Sequence, residues 1–256
     1  MKKKQQAKYL DKEWDELTAH LVAFLASEDQ EQLHKFRVQI KKIRAMLNLF
    51  ENTSRQHGLL RNLKPLKKIF GYAGVIRNAY INLQLGKKYQ LKNNLFESSQ
   101  QKIIDESIAE FLQHGDEYSK HIKDANKKVI KNLTTADDSA IIDYYKNKLE
   151  YINVNLEPLK FNEDIHTARK QIKLLVYNYK LAEKELGDDF YFNLKYLDNL
   201  QDKIGDWHDN ELAVQLFSSP ELNDKIIAAR IKKKNAVIKR LITTMAKDFL
   251  SKANGS

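Results

Sequence analysis

The sequence predicts an all-α fold that contains an internal duplication. Apolar residues recur at steps of three and four along nearly the whole chain, which is the spacing of amphipathic helices. Only 8 Gly and 3 Pro occur among the 256 residues, so few turn signals interrupt these helices. Three sequence blocks of the first half return in the second half in the same order. Alternating patterns typical of β-strands are absent.

The helices of the first half follow a basic N-terminal end, residues 1–8, whose start Met1–Lys4 is expected to be disordered. The apolar spacing then predicts six helices. Gly71 and Gly74 are interpreted as a break between the third and the fourth of them. The predicted helices cover about residues 10–24, 28–52, 59–70, 75–85, 103–112 and 117–133.

The second half shows the same kind of pattern. Pro158 and Asn162 precede a long helix, which is expected to end at Gly187 as a C-terminal capping glycine. Ser219-Pro220 is expected to cap the last helix. The predicted helices cover about residues 138–151, 163–186, 190–204, 206–217 and 220–250.

The duplication is carried by three matching blocks. Segment His34–Lys41 matches His166–Lys173 at five of eight positions, with an offset of 132 residues. The other blocks, at an offset of 131, are Leu63-Lys64-x-Leu66 with Leu194-Lys195-x-Leu197, and Gly74-x-x-Arg77-Asn78 with Gly205-x-x-His208-Asp209. We therefore expect two related helical halves, residues 9–133 and 134–252.

The charge balance favours an anionic partner. The chain has 44 Lys and Arg against 34 Asp and Glu, a formal net charge of +10, which suits nucleic acid, a lipid surface or an inorganic polyanion. The absence of Cys excludes disulfides, thiol catalysis and thiolate metal sites. No signal peptide and no apolar stretch of about 18 residues is visible, so we expect a cytoplasmic protein without membrane insertion.

The strongest candidate site is a basic row on the predicted second helix: His34, Arg37, Lys41 and Arg44. Steps of three, four and three place these side chains on one stripe, about 15 Å long at 1.5 Å per residue. A separate stripe of the same helix is apolar and should face the core. It consists of Phe36, Ile40, Ile43, Leu47 and Phe50.

Such a row is most often a solvated charged face, but here no Asp or Glu lies between Glu31 and Glu51 to pair with it. Arg offers a planar fork for two phosphate oxygens, and Lys adds a compact charge. The second half repeats the row as His166, Arg169 and Lys173, with Val176 in place of the last arginine. We therefore expect the first half to dominate binding.

Other candidates are weaker. Further basic residues are equally compatible with a solvated face; they are Arg61, Lys64, Lys67, Lys68, Lys120, Lys127, Lys128, Lys131, Arg230, Lys233, Lys234 and Arg240. The pairs Glu163/His166 and His121/Asp124 lack converging further ligands, so no metal and no cofactor is expected. Phosphate-binding glycine loops and Ser-His-Asp arrangements are also absent, so no catalytic residues are expected.

The basic row, the Gly74-x-x-Arg77-Asn78 block and the second copy together resemble the CHAD family (conserved histidine α-helical domain). The resemblance covers about Tyr9 to Leu250. The family pattern is a His-x-x-Arg-x-x-x-Arg/Lys-x-x-Arg helix followed by Gly-x-x-Arg-Asp, in each of two halves. This sequence departs from it at Asn78, at His208 in place of Arg, and at Val176 in place of Arg.

The resemblance implies two tandem antiparallel four-helix bundles related by pseudo-two-fold symmetry, with basic residues lining a groove or pore between them. It also implies non-catalytic binding of inorganic polyphosphate. The implied contacts are His34, Arg37, Lys41, Arg44, His166, Arg169 and Lys173, with Lys64 and Arg77 as further candidates. Association with polyphosphate granules would follow.

Two alternatives stay open at this point. A helical module that binds RNA or DNA has the same charge argument, although the His34 row has no aromatic residue on its own face for base stacking. A kinase or phosphohydrolase acting on a phosphate chain would need carboxylates that hold a metal ion. The nearest acidic residues to the second row are Glu163, Asp164, Asp206 and Asp209.

Overall fold

The computed structural model describes residues 1–54, 57–157, 159–188 and 190–255. Within these ranges its regular secondary structure is entirely helical, which confirms the predicted all-α fold. The chain divides into two compact units, unit 1 (Met1–Ala136) and unit 2 (Asp137–Ser256). None of the helices in the described ranges is long and apolar enough to cross a membrane.

Unit 1 contains five α-helices and one short 3-10 helix (Leu59–Leu63) among its described residues. The α-helices are α1 (Lys3–Ser27), α2 (Gln30–Thr53), α3 (Lys64–Tyr89), α4 (Asn94–Gln113) and α5 (Gly115–Asn132).

The N-terminal end of unit 1 differs from the expectation of a disordered basic segment. Helix α1 already begins at Lys3, and the Met1 side chain is buried. The amino group of Met1 donates a hydrogen bond of 2.8 Å to the carbonyl oxygen of Ala136. Gln6 is buried as well and donates to the carbonyl of Thr134 at 2.8 Å. These buried contacts hold the segment against the end of the unit, so the prediction of disorder is wrong.

The core of unit 1 lies where α2 packs against α1 and α3. Large side chains are fully buried there, among them Trp14 and Phe36. Phe24 of α1 meets Phe111 of α4 edge to face, with ring centroids 5.5 Å apart. Burying a side chain of this size contributes roughly 1.5–3 kcal/mol. The aromatic core therefore fixes which face of α2 is left for solvent.

Unit 2 contains four long helices and one short helix among its described residues, against the five long helices of unit 1. The elements are α6 (Asp138–Leu156), α7 (Glu163–Leu186), α8 (Leu194–Phe217), α9 (Lys225–Ala246) and α10 (Phe249–Asn254). Helix α7 packs against α6 and α8, and α8 packs against α9. Within unit 2, α7 is thus placed between its neighbours as α2 is within unit 1.

Several predicted helix ends are confirmed and others are wrong. The Asn162 side chain caps α7 by accepting a hydrogen bond from the backbone N–H of Asp164, and Gly187 ends the helix with a φ of 71°. Pro158 lies outside the described residues. Ser219-Pro220 lies in the turn between α8 and α9 and does not cap the last helix. The Asp224 side chain caps α9 instead, by accepting a hydrogen bond from the backbone N–H of Ile227.

The predicted helix break at Gly71 and Gly74 is also wrong, because both glycines lie inside the continuous helix α3. Gly205 lies likewise inside α8, where the sequence predicted two helices. Glycine lowers helix propensity by about 1 kcal/mol but does not end a helix that is packed on its neighbours.

Candidate functional site

Helix α2 has one buried apolar face and one basic face, as its sequence predicts. Phe36 and Ile43 are completely buried. Lys41 and Arg44 are exposed, and His34 and Arg37 are half-buried. The structure therefore places the basic row at the edge of the contact between α2 and α3, with its C-terminal part in solvent.

Arg37 is anchored on the backbone of α3. Its Nη1 atom donates a hydrogen bond to the carbonyl oxygen of Phe70, and its guanidinium lies 3.9 Å from the centroid of the Phe70 ring. A Cβ atom at Gly74 would lie only 2.7 Å from Nη1 of Arg37. The guanidinium can reach the helix backbone because residue 74 has no side chain.

Unit 2 contains the same arrangement. Nε of Arg169 donates a hydrogen bond of 2.9 Å to the carbonyl oxygen of Gln201. A Cβ atom at Gly205 would lie 2.6 Å from Nη2 of Arg169. Gln201 and Gly205 follow Phe70 and Gly74 at the offset of 131 residues. We refer to Arg37 and Arg169 as the anchor arginines, since each joins the basic helix to the next helix of its own unit.

His34 and Arg77 are electrostatic neighbours in unit 1. Burial lowers the pKa of His34, and the positive charge of Arg77 lowers it further. Glu31 acts in the opposite direction, while Lys41 and Arg37 add to the lowering. The Arg77 guanidinium also lies 5.4 Å from the centroid of the Tyr80 ring. The imidazole thus lies among cations, and a bound anion would favour its protonated form.

The face of α3 beside this row is free of opposing charge. Helix α3 contains no Asp or Glu from Lys64 to Tyr89. In the described part of the chain, Arg44 and Arg77 form no ion pair with a carboxylate. Cations that are not neutralised by neighbouring carboxylates leave a positive potential that attracts an anion.

The corresponding face of unit 2 is partly neutralised. Lys173 donates a hydrogen bond of 3.3 Å to Oε1 of Gln201. The amide nitrogen of Gln201 in turn donates to the carboxylates of Asp198 at 2.9 Å and Asp202 at 2.7 Å. The acidic residues of α8 are Asp198, Asp202, Asp206, Asp209 and Glu211. Two related helix pairs therefore present different charge, with unit 1 the more basic.

The second histidine row begins with a pair of stacked imidazoles. The rings of His166 and His208 are nearly parallel, at an angle of 20°, and their centroids are 4.5 Å apart. Burial lowers the pKa of His166, and Lys170 and His208 lower it further. His208 stands at the position that Arg77 occupies in unit 1.

Comparison with known proteins connects this arrangement to one family. Residues 8–218 match the family model of the CHAD domain. The chain belongs to the CHAD family. The crystal structure of the CHAD domain from the plant Ricinus communis is similar in fold, with a TM-score of 0.68 at 14% sequence identity; the match covers 96% of this chain and 91% of that one. No curated protein sequence matches the chain.

Lys64, a further candidate contact from the sequence, is the first residue of α3. It lines a cavity of about 430 Å³ between α3 and the helices α4 and α5. Lys68, Tyr72, His114 and His121 line the same cavity. The structure therefore places Lys64 at this cavity.

The residues considered for a metal are engaged in other contacts. Glu163 forms an ion pair of 3.0 Å with Lys170. Nε2 of His121 lies 3.2 Å from a carboxylate oxygen of Glu117. In the described ranges, no group of three or more His, Cys, Asp or Glu side chains is arranged to hold a metal ion.

Sequence reasoning did not find the roles of Gln201 and His208. The offset of 131 residues aligns Gln201 with Phe70 and Asp198 with Lys67, so the loss of basic character in unit 2 was visible in the sequence. The stacking of His208 on His166 had no such signal, because these residues lie on different helices. Their contact depends on how α7 and α8 pack.

Proposed function

We propose that this CHAD protein binds inorganic polyphosphate through the basic face of unit 1, without catalysing a reaction. The observation that carries the proposal is the pairing of the α2 row with a helix that contains no carboxylate. Arg44 and Arg77 are not neutralised by ion pairs in the described part of the chain. Charge-assisted hydrogen bonds from such groups to phosphate oxygens are the strong class of hydrogen bond.

The shape of the row supports a linear ligand. His34, Lys41 and Arg44 follow one another along α2 over about 15 Å, at 1.5 Å per residue. A single phosphate would instead be favoured by a glycine-rich loop or a helix N-terminus. Family membership supports the same ligand, because the CHAD family includes members that bind polyphosphate.

The sequence predicted Arg37 and Arg169 as ligand contacts, whereas the structure supports a positioning role for these anchor arginines. Arg37 gives at least one of its N–H groups to the Phe70 carbonyl, so part of its hydrogen-bonding capacity holds α2 on α3. We propose that Arg37 and Arg169 position the rows and that the more exposed cations make most of the contacts. His34, Lys41, Arg44 and Arg77 are then the main ligand contacts of unit 1.

Nucleic acid is the second candidate, favoured by the net charge of +10. An aromatic ring does lie beside the row, because α3 contributes Phe70. However, the Arg37 guanidinium already lies over that ring at 3.9 Å. That face of the ring is therefore occupied by the guanidinium, which disfavours a base stacked there, the contact that single-stranded nucleic acids usually require.

A competition gel-shift experiment tests the proposal. Labelled long-chain polyphosphate is bound to the full chain, and unlabelled polyphosphate, duplex DNA and single-stranded RNA are added at equal phosphate concentration. We expect polyphosphate to compete at least tenfold better than either nucleic acid, and affinity to fall steeply with salt. Equal or better competition by RNA or DNA would overturn the choice of ligand.

Two further measurements address the remaining parts of the proposal. Incubation of the chain with polyphosphate and magnesium should release no phosphate, whereas steady release would show an enzyme. We also propose a cytoplasmic location at polyphosphate granules. Fluorescence microscopy of a tagged chain, with and without accumulated polyphosphate, tests this part.

A further inference from the structure

Unit 2 differs from unit 1 at the position where a histidine replaces an arginine. His34 has Arg77 as its cationic neighbour, whereas His166 has His208, whose ring is stacked on its own. Arginine is charged at every physiological pH, while histidine titrates near neutrality. The two units should therefore respond differently to pH even though their rows are related.

We propose that His166 and His208 form a proton-dependent phosphate subsite, which takes up protons when polyphosphate binds to unit 2. The inference rests on the proposed function, since polyphosphate is the anion concerned. It assigns His208 to ligand binding as the partner of His166. The side chain of His208 is 32% exposed, so an anion can reach the pair from solvent.

The geometry disfavours a doubly protonated pair in the unbound protein. Two imidazolium rings with centroids 4.5 Å apart would repel each other. Nδ1 of His166 is inaccessible to solvent and has no hydrogen-bond partner among the described residues. Protonation of this ring would place an unsatisfied N–H on that atom, which is costly. Burial and neighbouring cations lower the pKa of His166 for the same reasons.

The charged groups on α7 and α8 do not remove the cost of protonating both His166 and His208. On α7, Arg169 and Lys170 oppose protonation, and Glu163 favours it, but Glu163 is held by Lys170 at 3.0 Å. On α8, a carboxylate oxygen of Asp209 lies 3.6 Å from Nδ1 of His208. The Asp209 side chain is 80% exposed, so solvent screens its charge and it does not replace a bound anion.

One cation of α6 and one of α9, the helices that pack on α7 and α8 respectively, are engaged in other contacts. Lys148 of α6 donates to Gln171 at 2.9 Å. Lys239 of α9 lies 3.5 Å from a carboxylate oxygen of Glu211 and 5.2 Å from the centroid of the Phe161 ring. A phosphate chain placed across the two imidazoles supplies the negative charge that the pair lacks. Binding and protonation are then mutually favourable.

The experiment compares the full chain with the variant His208→Arg, which gives unit 2 the residue found in unit 1. Long-chain polyphosphate is the probe, since only its terminal groups titrate near neutral pH. Calorimetry in two buffers of different ionisation enthalpy measures proton uptake on binding, at about pH 5.5 and about pH 7.5. Affinity changes about tenfold per pH unit for each proton taken up.

We expect His208→Arg to take up fewer protons than the wild type and to bind more tightly at the higher pH. The reciprocal variant Arg77→His should take up more protons. Equal proton uptake by the wild type and His208→Arg would overturn the inference while leaving the proposed function intact. A wild type that binds no polyphosphate at either pH would overturn both.

A second measurement does not depend on either variant folding correctly. The imidazole resonances of His166 and His208 in the wild type are followed by NMR as a function of pH, with and without saturating polyphosphate. We expect the ligand to raise the pKa of at least one of the two rings. Unchanged titration of both rings in the saturated complex would overturn the inference.

Discussion

The guanidinium of Arg37 occupies the space that a side chain at Gly74 would need, so the two residues depend on each other. A Cβ atom there would lie 2.7 Å from Nη1 of Arg37. The repeat of this relationship between Arg169 and Gly205 explains why glycine stands inside a helix in both units. The basic row and the glycine motif of the CHAD sequence thus contact each other where two helices pack together.

The first prediction concerns Gly74→Ala. The added methyl group displaces the Arg37 guanidinium from the Phe70 carbonyl, which removes a charge-assisted hydrogen bond worth roughly 1.5–3 kcal/mol. Alanine regains about 1 kcal/mol of helix propensity. We expect a net loss of about 0.5–2 kcal/mol in the free energy of unfolding, measured by urea denaturation, and a similar loss for Gly205→Ala.

Gly71→Ala is the matched control in the same helix. No atom lies within 4 Å of a Cβ built at Gly71, so only the gain in helix propensity remains. This variant should be unchanged or more stable by up to about 1 kcal/mol. If both variants are equally stable, the anchor contact does not hold α2 on α3.

The second prediction compares the equivalent lysines of the two units. Lys41→Ala removes a cation beside α3, which has no carboxylate. Lys173→Ala removes one that is bonded to Gln201, which in turn contacts Asp198 and Asp202. We expect Lys41→Ala to weaken polyphosphate binding by roughly 1.5–3 kcal/mol and Lys173→Ala by less than about 1 kcal/mol, measured by titration calorimetry. A larger loss for Lys173→Ala would contradict the dominance of unit 1.

The third prediction concerns the pH dependence of stability. Burial raises the pKa of Glu13, and this effect outweighs the opposing charge of Lys42. The folded protein therefore binds this proton more tightly than the unfolded chain. The contribution of Glu13 to stability is present at acidic pH and is lost as the pH rises through the raised folded-state pKa.

Glu13→Gln tests this sign. Glutamine keeps an oxygen that can accept the hydrogen bond from Gln39, which lies 2.6 Å from the carboxylate, but it carries no charge. We expect the variant to have a higher melting temperature than the wild type at neutral pH. The difference should shrink as the pH falls and the wild-type carboxyl becomes protonated, because burial raises the pKa of Glu13. A lower melting temperature at neutral pH would show that the ion pair with Lys42 dominates.

Much of the fold could be predicted from the sequence, because helix periodicity and capping are local. The apolar stripe of α2 is buried, whereas its basic row is half-buried or exposed. Asn162 caps the start of α7 and Gly187 ends the helix, as the capping preferences of these residues predict. The glycines inside α3 and α8 were misread for a physical reason. A glycine that breaks a helix and a glycine that admits a guanidinium look alike until the partner helix is placed.

The sequence also predicted those features of the site that lie within one helix, but not those that depend on contacts between helices. The residues of one row share a helix, so their spacing shows that they form one face. Lys64 was assigned to the site from its motif, and its place beside a cavity that α4 and α5 also line depends on helix packing. The stacking of His166 on His208 is likewise a contact between helices. The difference in charge between the two units can be read from the sequence, because the matching blocks of the two halves align at nearly one offset.

The measurement that tests the central claim most directly is the polyphosphate affinity of the double variant Arg44→Ala/Arg77→Ala. Its matched control is Arg230→Ala/Lys234→Ala, which removes the same charge from exposed positions on α9. We expect the first variant to lose roughly 3 kcal/mol or more, about a hundredfold in affinity, at about 0.1 M salt. The control should lose less than about tenfold. Equal losses in the two variants would contradict a specific site on α2 and α3 and would leave only attraction by net charge.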